Sequence, residues 1–124
     1  MAYTILLVDD NATNLKLAAD VLSLDGHVII KAFDAFEALK VIDSLVPDLI
    51  LVDLAMPGMD GLTLTRKLKS EGPCRDVPIV ALTASAMKGD DYKALAAGCD
   101  GYITKPIDTR TFGRTVAAFL PRGA

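Results

Sequence analysis

Asp9-Asp10, Asp53, Thr83 and Lys105 each stand directly after a short aliphatic run: Ile5-Leu6-Leu7-Val8, Leu49-Ile50-Leu51-Val52, Ile79-Val80-Ala81-Leu82 and Tyr102-Ile103-Thr104. Carboxylates brought close together repel one another and need a compensating cation. Magnesium suits them, being a hard ion that prefers oxygen ligands and keeps several waters, so a phosphoryl oxygen still has a place to bind. Lys105 offers a movable point charge for a phosphoryl group or for the carboxylate that carries it. Thr83 offers a hydroxyl donor. These parts suit one reaction: a carboxylate attacks a phosphoryl donor and becomes an acyl phosphate, while metal and lysine neutralise the developing charge. Asp53 is the candidate nucleophile because it stands alone after its run, whereas the Asp9-Asp10 pair is better placed to hold a metal.

The runs have to be arranged so that these residues meet. Short aliphatic segments bounded by turn residues read as strands buried on both faces. Strands are expected at Thr4–Val8, Val28–Ala32, Leu49–Asp53, Ile79–Thr83 and Gly101–Thr104, with helical patterns between them. Leu15, Ala18, Ala19 and Leu22 share one helical face, with Asn11 to Asn14 supplying capping chemistry. Ala35, Ala38, Leu39 and Ile42 form the next face, and Leu64 and Leu68 follow Gly61 in a helix that ends at Glu71-Gly72-Pro73. A short helix opens at Asp90-Asp91 and stops at Gly98. Asp108 or Thr109 is expected to cap the last, whose apolar stripe is Phe112, Val116, Phe119 and Leu120. Alternating strands and helices require a parallel sheet with right-handed crossovers. The expected fold is α/β, a doubly wound five-stranded parallel sheet of order 2-1-3-4-5 with five helices. Its switch point falls between the first and third strands, which carry Asp9, Asp10 and Asp53.

A chain of 124 residues is one domain with room for a real core. Its net charge of -3 argues against nucleic-acid binding, which needs a basic face. No apolar stretch reaches membrane-spanning length, and the start, Met1-Ala2-Tyr3-Thr4, lacks the charged region of a signal peptide. Cys74 and Cys99 with the single His27 make neither a disulfide framework nor a familiar zinc site. Reduced, structural cysteines and a cytoplasmic location are expected.

The ordered set Val8-Asp9-Asp10-Asn11, Leu51-Val52-Asp53-Leu54-Ala55-Met56-Pro57-Gly58-Met59-Asp60-Gly61, Ala81-Leu82-Thr83-Ala84 and Tyr102-Ile103-Thr104-Lys105-Pro106 resembles the receiver domain of two-component response regulators. The resemblance spans residues 1–124 as one receiver domain without an output domain. It implies that Asp53 accepts phosphate from a histidine kinase or a histidine phosphotransfer protein. It implies that Asp10 binds magnesium directly, Asp9 through water, and the Ala55 backbone carbonyl completes the protein ligands. Phosphoryl contacts would come from Ala55, Thr83, Ala84 and Lys105, and Lys105-Pro106 would be a cis peptide. Thr83 and Tyr102 would form the switch pair, the hydroxyl moving toward the phosphoryl group as the ring turns inward, a two-state packing change biased by local charge. The changing surface would be the fourth helix, fifth strand and fifth helix, read by a downstream protein, with the chain a monomer or weak dimer.

The Ala84-Ser85-Ala86-Met87-Lys88-Gly89-Asp90 stretch resembles single-domain regulators of the alphaproteobacterial cell-fate type and receivers of hybrid kinases, so a receiver cut from a larger protein is the alternative to a stand-alone regulator. Ala55 and Ser85 are small where the chemotaxis-type pattern carries side chains that influence water access to the acyl phosphate. A magnesium-dependent phosphohydrolase with an aspartyl nucleophile is the reading from another class. It is disfavoured because such enzymes usually carry two acids, two residues apart, after the first strand, and a cap domain. Nucleotide binding has no Gly-x-Gly-x-x-Gly or P-loop to support it.

Overall fold

The computed structural model describes residues 3–54, 58–59, 61–70, 72, 74–83, 90–105 and 107–120. Among them strands and helices alternate: β1 Thr4–Val8, α1 Ala12–Leu24, β2 Val28–Ala32, α2 Ala35–Ser44, β3 Leu49–Asp53, α3 Gly61–Ser70, β4 Ile79–Thr83, α4 Asp90–Ala97, β5 Gly101–Thr104 and α5 Phe112–Ala117. The sheet has five strands in the order β2-β1-β3-β4-β5, and every neighbouring pair is parallel. Each expected strand coincides with an observed one: β1, β3 and β4 are buried on both faces, and β2 and β5 are the half-exposed edges of the sheet.

Side-chain alternation divides each strand between two cores. Leu6, Val8, Ile50, Val52, Ile79 and Ala81 pack against Ala35, Ala38 and Ile42 of α2 and Leu64 and Leu68 of α3. Ile5, Leu7, Leu49, Leu51, Val80 and Leu82 face the other way, onto Leu15, Ala18, Ala19 and Leu22 of α1 and Phe112 and Val116 of α5. Helix α4 touches α3, β4 and β5. The central strands are thus clamped on both faces, which fixes their carboxyl ends.

The helix starts follow their local chemistry. The Asn11 side chain accepts the Asn14 N–H at 3.0 Å and caps α1. At α2 the Asp34 carboxylate accepts the Glu37 N–H at 2.8 Å, and the Glu37 carboxylate accepts the Phe33 N–H at 2.6 Å, a reciprocal arrangement close to a capping box. The last helix departs from expectation. Its cap is Thr111, which makes no side-chain capping bond, and the helix runs only from Phe112 to Ala117. Asp108 instead shapes the preceding turn: its carbonyl accepts the Thr111 and Phe112 N–H groups and its carboxylate accepts the Arg110 N–H at 3.0 Å. A carboxylate that finds a partner two residues on builds a turn in place of the first helical turn. Phe119 and Leu120 lie beyond the helix, yet Leu120 is buried and Phe119 packs beside it, as the stripe required.

Cys74 and Cys99 are free and buried, and burial pushes both thiols above their ordinary pKa, so they stay protonated. His27 packs beside Tyr3, with ring centroids 5.8 Å apart, and its Nδ1 accepts the Tyr3 N–H at 3.3 Å. Among the described residues no helix is long and apolar enough to cross a membrane.

Loss of the α2 cap tests this account of local structure. Asp34→Ala is expected to cost about 1 kcal/mol in urea denaturation, and Asp34→Asn, which keeps an acceptor, much less. Equal losses would show that the acceptor is not what holds the α2 start.

Candidate functional site

Register brings the candidate residues to one edge. Val8 lies opposite Val52 in the β1–β3 pair, Asp53 opposite Leu82 in β3–β4, and Thr83 opposite Thr104 in β4–β5. Asp9, Asp53, Thr83 and Lys105 therefore end four adjacent rungs. Backbone bonds extend each ladder one step into the loops: Asp9 N–H to Ala32 O at 3.1 Å, Leu54 N–H to Leu82 O at 3.1 Å, and Lys105 N–H to Thr83 O at 2.7 Å. The site is built on strand ends, with little freedom in its backbone.

One oxygen from each of Asp9, Asp10 and Asp53 falls within 4.8 Å of the others. Asp9 and Asp53 are buried, and Asp10 is exposed. The Lys105 Nζ lies 2.9 Å from Asp9 Oδ2 and 3.3 Å from Asp53 Oδ2, bridging the two buried acids. Asp9 Oδ1 accepts the Asn11 N–H at 2.9 Å, so each Asp9 oxygen has a donor. Burial is the largest single influence on Lys105 and opposes its charge. The Asp9 hydrogen bond and the Asp53 and Asp9 charges together outweigh it, and its pKa is raised above the ordinary lysine value.

Gly61 opens α3, and the structure gives it a further role. A Cβ at this position would collide with the Asp53 carbonyl oxygen and lie 2.8 Å from Leu54 Cα. Only glycine lets α3 start against the backbone of the candidate nucleophile, a close approach that demands no side chain. The signal in the sequence was a glycine at the start of a helix, where it is less common than past the end.

Thr83 is buried at the end of β4. Tyr102 is 38% exposed and pairs with Ala81, so it shares the sheet face of Ala81 and Thr83. Ala55, Ala84, Pro106, and the Ser85, Met87 and Gly89 of the segment before α4, lie outside the described residues. A largely apolar cavity of about 340 Å³ opens elsewhere, lined by Leu39, Ile42, Asp43, Lys67, Leu68, Gly72 and Cys74, and shares no residue with the acidic cluster.

The family model of the response regulator receiver domain matches residues 5–117. The chain belongs to that family. This receiver is 38% identical over 120 residues to the polar-differentiation response regulator DivK of Brucella anthropi, covering 97% of this chain and 98% of the relative. Its fold is similar to a putative response regulator from Chloroflexus aurantiacus, with a TM-score of 0.92, 30% identity, and 98% and 100% of the two chains covered. It is also similar to the receiver domain of the sensor histidine kinase PA1611 from Pseudomonas aeruginosa, with a TM-score of 0.87, 32% identity, and 96% and 98% covered. The PA1611 structure has a magnesium ion coordinated in its active-site cleft. As a receiver, the protein is a component of two-component signalling.

Lys105 gives the site a testable pH signature. Its folded pKa is raised above the ordinary value of 10.5, so the stability it contributes is fully present below that value and is lost as pH rises through the folded pKa. In metal-free buffer, Lys105→Met is expected to cost roughly 1–3 kcal/mol at pH 7–9, less than a fully closed buried pair because Asp10 opens the cluster to water. The gap between wild type and variant should shrink above about pH 10.5 in paired denaturation curves. A gap independent of pH throughout would refute the charge-bridge account.

Proposed function

We propose that the protein is a phosphorylation-controlled signalling switch that accepts a phosphoryl group on Asp53 from a histidine kinase or a histidine phosphotransfer protein. The observation that carries this is the Lys105 ammonium between Asp9 and Asp53, within a cluster that also holds Asp10. One cation beside three carboxylates leaves the group net acidic, and its oxygen donors suit a hard divalent ion that keeps part of its water. Magnesium fits this donor set. Asp10 and Asp53 would hold it directly and Asp9 through water, in keeping with both Asp9 oxygens already having donors. The Ala55 carbonyl would complete the protein ligands. When bound, the metal neutralises charge gathering on the phosphoryl oxygens.

In the transfer, an Asp53 carboxylate oxygen forms a bond to phosphorus as the bond from phosphorus to the donor imidazole nitrogen breaks. The electron pair of that bond returns to the imidazole, which is protonated from solvent. Lys105 stays beside Asp53 and stabilises the acyl phosphate, and Thr83, with the Ala84 backbone, supplies further donors. Thr83 moving toward the new charge vacates space on the sheet face it shares with Tyr102, whose ring turns inward. The surface of α4, β5 and α5 changes with it. Leu95 of α4 is 52% exposed and Tyr102 of β5 is 38% exposed, so apolar area for a downstream protein is already present on these two elements. The readout is relay of phosphate or control of that partner, without nucleic acid, and self-dephosphorylation is the only turnover expected. Buried, protonated thiols fit a cytoplasmic setting.

Intact mass after incubation with acetyl phosphate tests the reading. Wild type with magnesium should gain one phosphoryl group, and Asp53→Asn, or wild type without magnesium, should gain none. Wild type that neither gains the group nor releases phosphate under these conditions would overturn the assignment.

A further inference from the structure

Behind the acidic cluster runs a buried polar chain with no part in the assignment above. Thr65, on the inner face of α3, is fully buried, and its hydroxyl donates to the Gly61 carbonyl at 2.7 Å. The same oxygen accepts the Cys99 thiol, with sulfur and oxygen 3.7 Å apart. Cys99 sits between α4 and β5, 34 residues along the chain from Thr65. Gly61 in turn lies against the Asp53 carbonyl and Leu54 Cα, too close to admit a Cβ, and its N–H donates to Leu54 O at 3.3 Å.

The chemistry of each link is directional. A threonine hydroxyl has one proton, and here the proton is committed to Gly61. The lone pairs left over are shut away from water, where an unpaired polar oxygen is costly. The Cys99 thiol meets that need as a weak donor, and burial keeps it protonated and able to donate. Back-bonding from a threonine to the carbonyl four residues earlier bends a helix locally. Here the bond reaches the carbonyl of the first residue of α3, the one seated on the Asp53 backbone.

We propose that Thr65 is a positioning residue for phosphoryl transfer: its hydroxyl seats Gly61 against the Asp53 backbone and so aims the Asp53 carboxylate, while Cys99 fixes the direction of that hydroxyl. The inference rests on the reading of Asp53 as phosphoacceptor. It ties the aim of the nucleophile to the α4–β5 junction through two side chains that touch neither metal nor phosphate.

The test is the rate of phosphorylation by acetyl phosphate across a magnesium series for wild type, Thr65→Val, Thr65→Ser and Cys99→Ala, with thermal unfolding of each. A misplacement of about 1 Å can cost roughly 100-fold in rate, so a smaller shift is expected to lower the maximal rate of Thr65→Val about tenfold. The half-saturating magnesium concentration should rise by a smaller factor than the rate falls, because of the two carboxylates that would hold the metal directly only Asp53 is re-aimed, while Asp10 stays on the loop after β1. Thr65→Ser should recover most of the rate, and Cys99→Ala should fall between. Wild-type rates in Thr65→Val overturn the proposal, as does a Thr65→Ser as slow as Thr65→Val, since the hydroxyl would then be irrelevant. If wild type itself takes up no phosphate, the phosphoacceptor reading fails separately. The positioning claim is then decided by backbone amide NMR: Thr65→Val must shift the Asp53, Leu54 and Gly61 signals, and Thr65→Ser must leave them near their wild-type positions.

Discussion

Asp9, Asp10 and Asp53 place one carboxylate oxygen each within 4.8 Å of the others, and the rest of the structure serves or answers that crowding. Two unit charges about 4 Å apart interact by about 4 kcal/mol at an effective dielectric near 20. The Lys105 ammonium sits against Asp9 and Asp53 and offsets much of that repulsion. A single positive charge cannot neutralise three negative ones. The surplus lies on the Asp10 side, which is open to water.

Such crowding survives only on a stiff support. The carboxylates leave the ends of β1 and β3, whose side chains are almost entirely buried on both faces. Two separate cores, one beneath α2 and α3 and one beneath α1 and α5, hold these strands from opposite sides. Lys105 comes from the far side of the sheet in sequence, yet its backbone is bonded to the end of β4. The counter-charge therefore arrives through the sheet ladder and not through a flexible loop alone.

Further anchors bind the α3 side of the sheet to β4 and β5. Lys69 Nζ donates to Val77 O and to the Asp100 carboxylate, both at 2.9 Å, and Asp100 accepts the Ile79 N–H at 2.8 Å. These bonds lie near the amino ends of β4 and β5, away from the acidic cluster. Together with the Thr65 and Cys99 contact they tie α3 to β4 and to the α4–β5 junction. Tyr102 itself is 38% exposed on the edge strand, whereas the interior strands are buried.

Sequence alone determined the strands, the sheet order and the residues that gather at its carboxyl edge. The reason is local: short apolar runs between turn residues read as strands whether buried on both faces, as β1, β3 and β4 are, or half exposed at the edges, as β2 and β5 are. The α1 face and the Asn11 cap were equally legible, because helical periodicity and capping involve neighbours in the chain. Tertiary structure decided what neighbours cannot encode. Asp9 and Asp10 are adjacent and chemically alike, yet one is buried with a donor on each oxygen and the other is exposed, since strand pleating and the Lys105 approach act on one only. The start of α5 shifted to Thr111 because Asp108 found turn donors closer at hand than helical ones. Gly61 and Thr65 gained their roles from the meeting of α3 with the Asp53 backbone and with Cys99, contacts across loops and elements that no periodicity in the chain records.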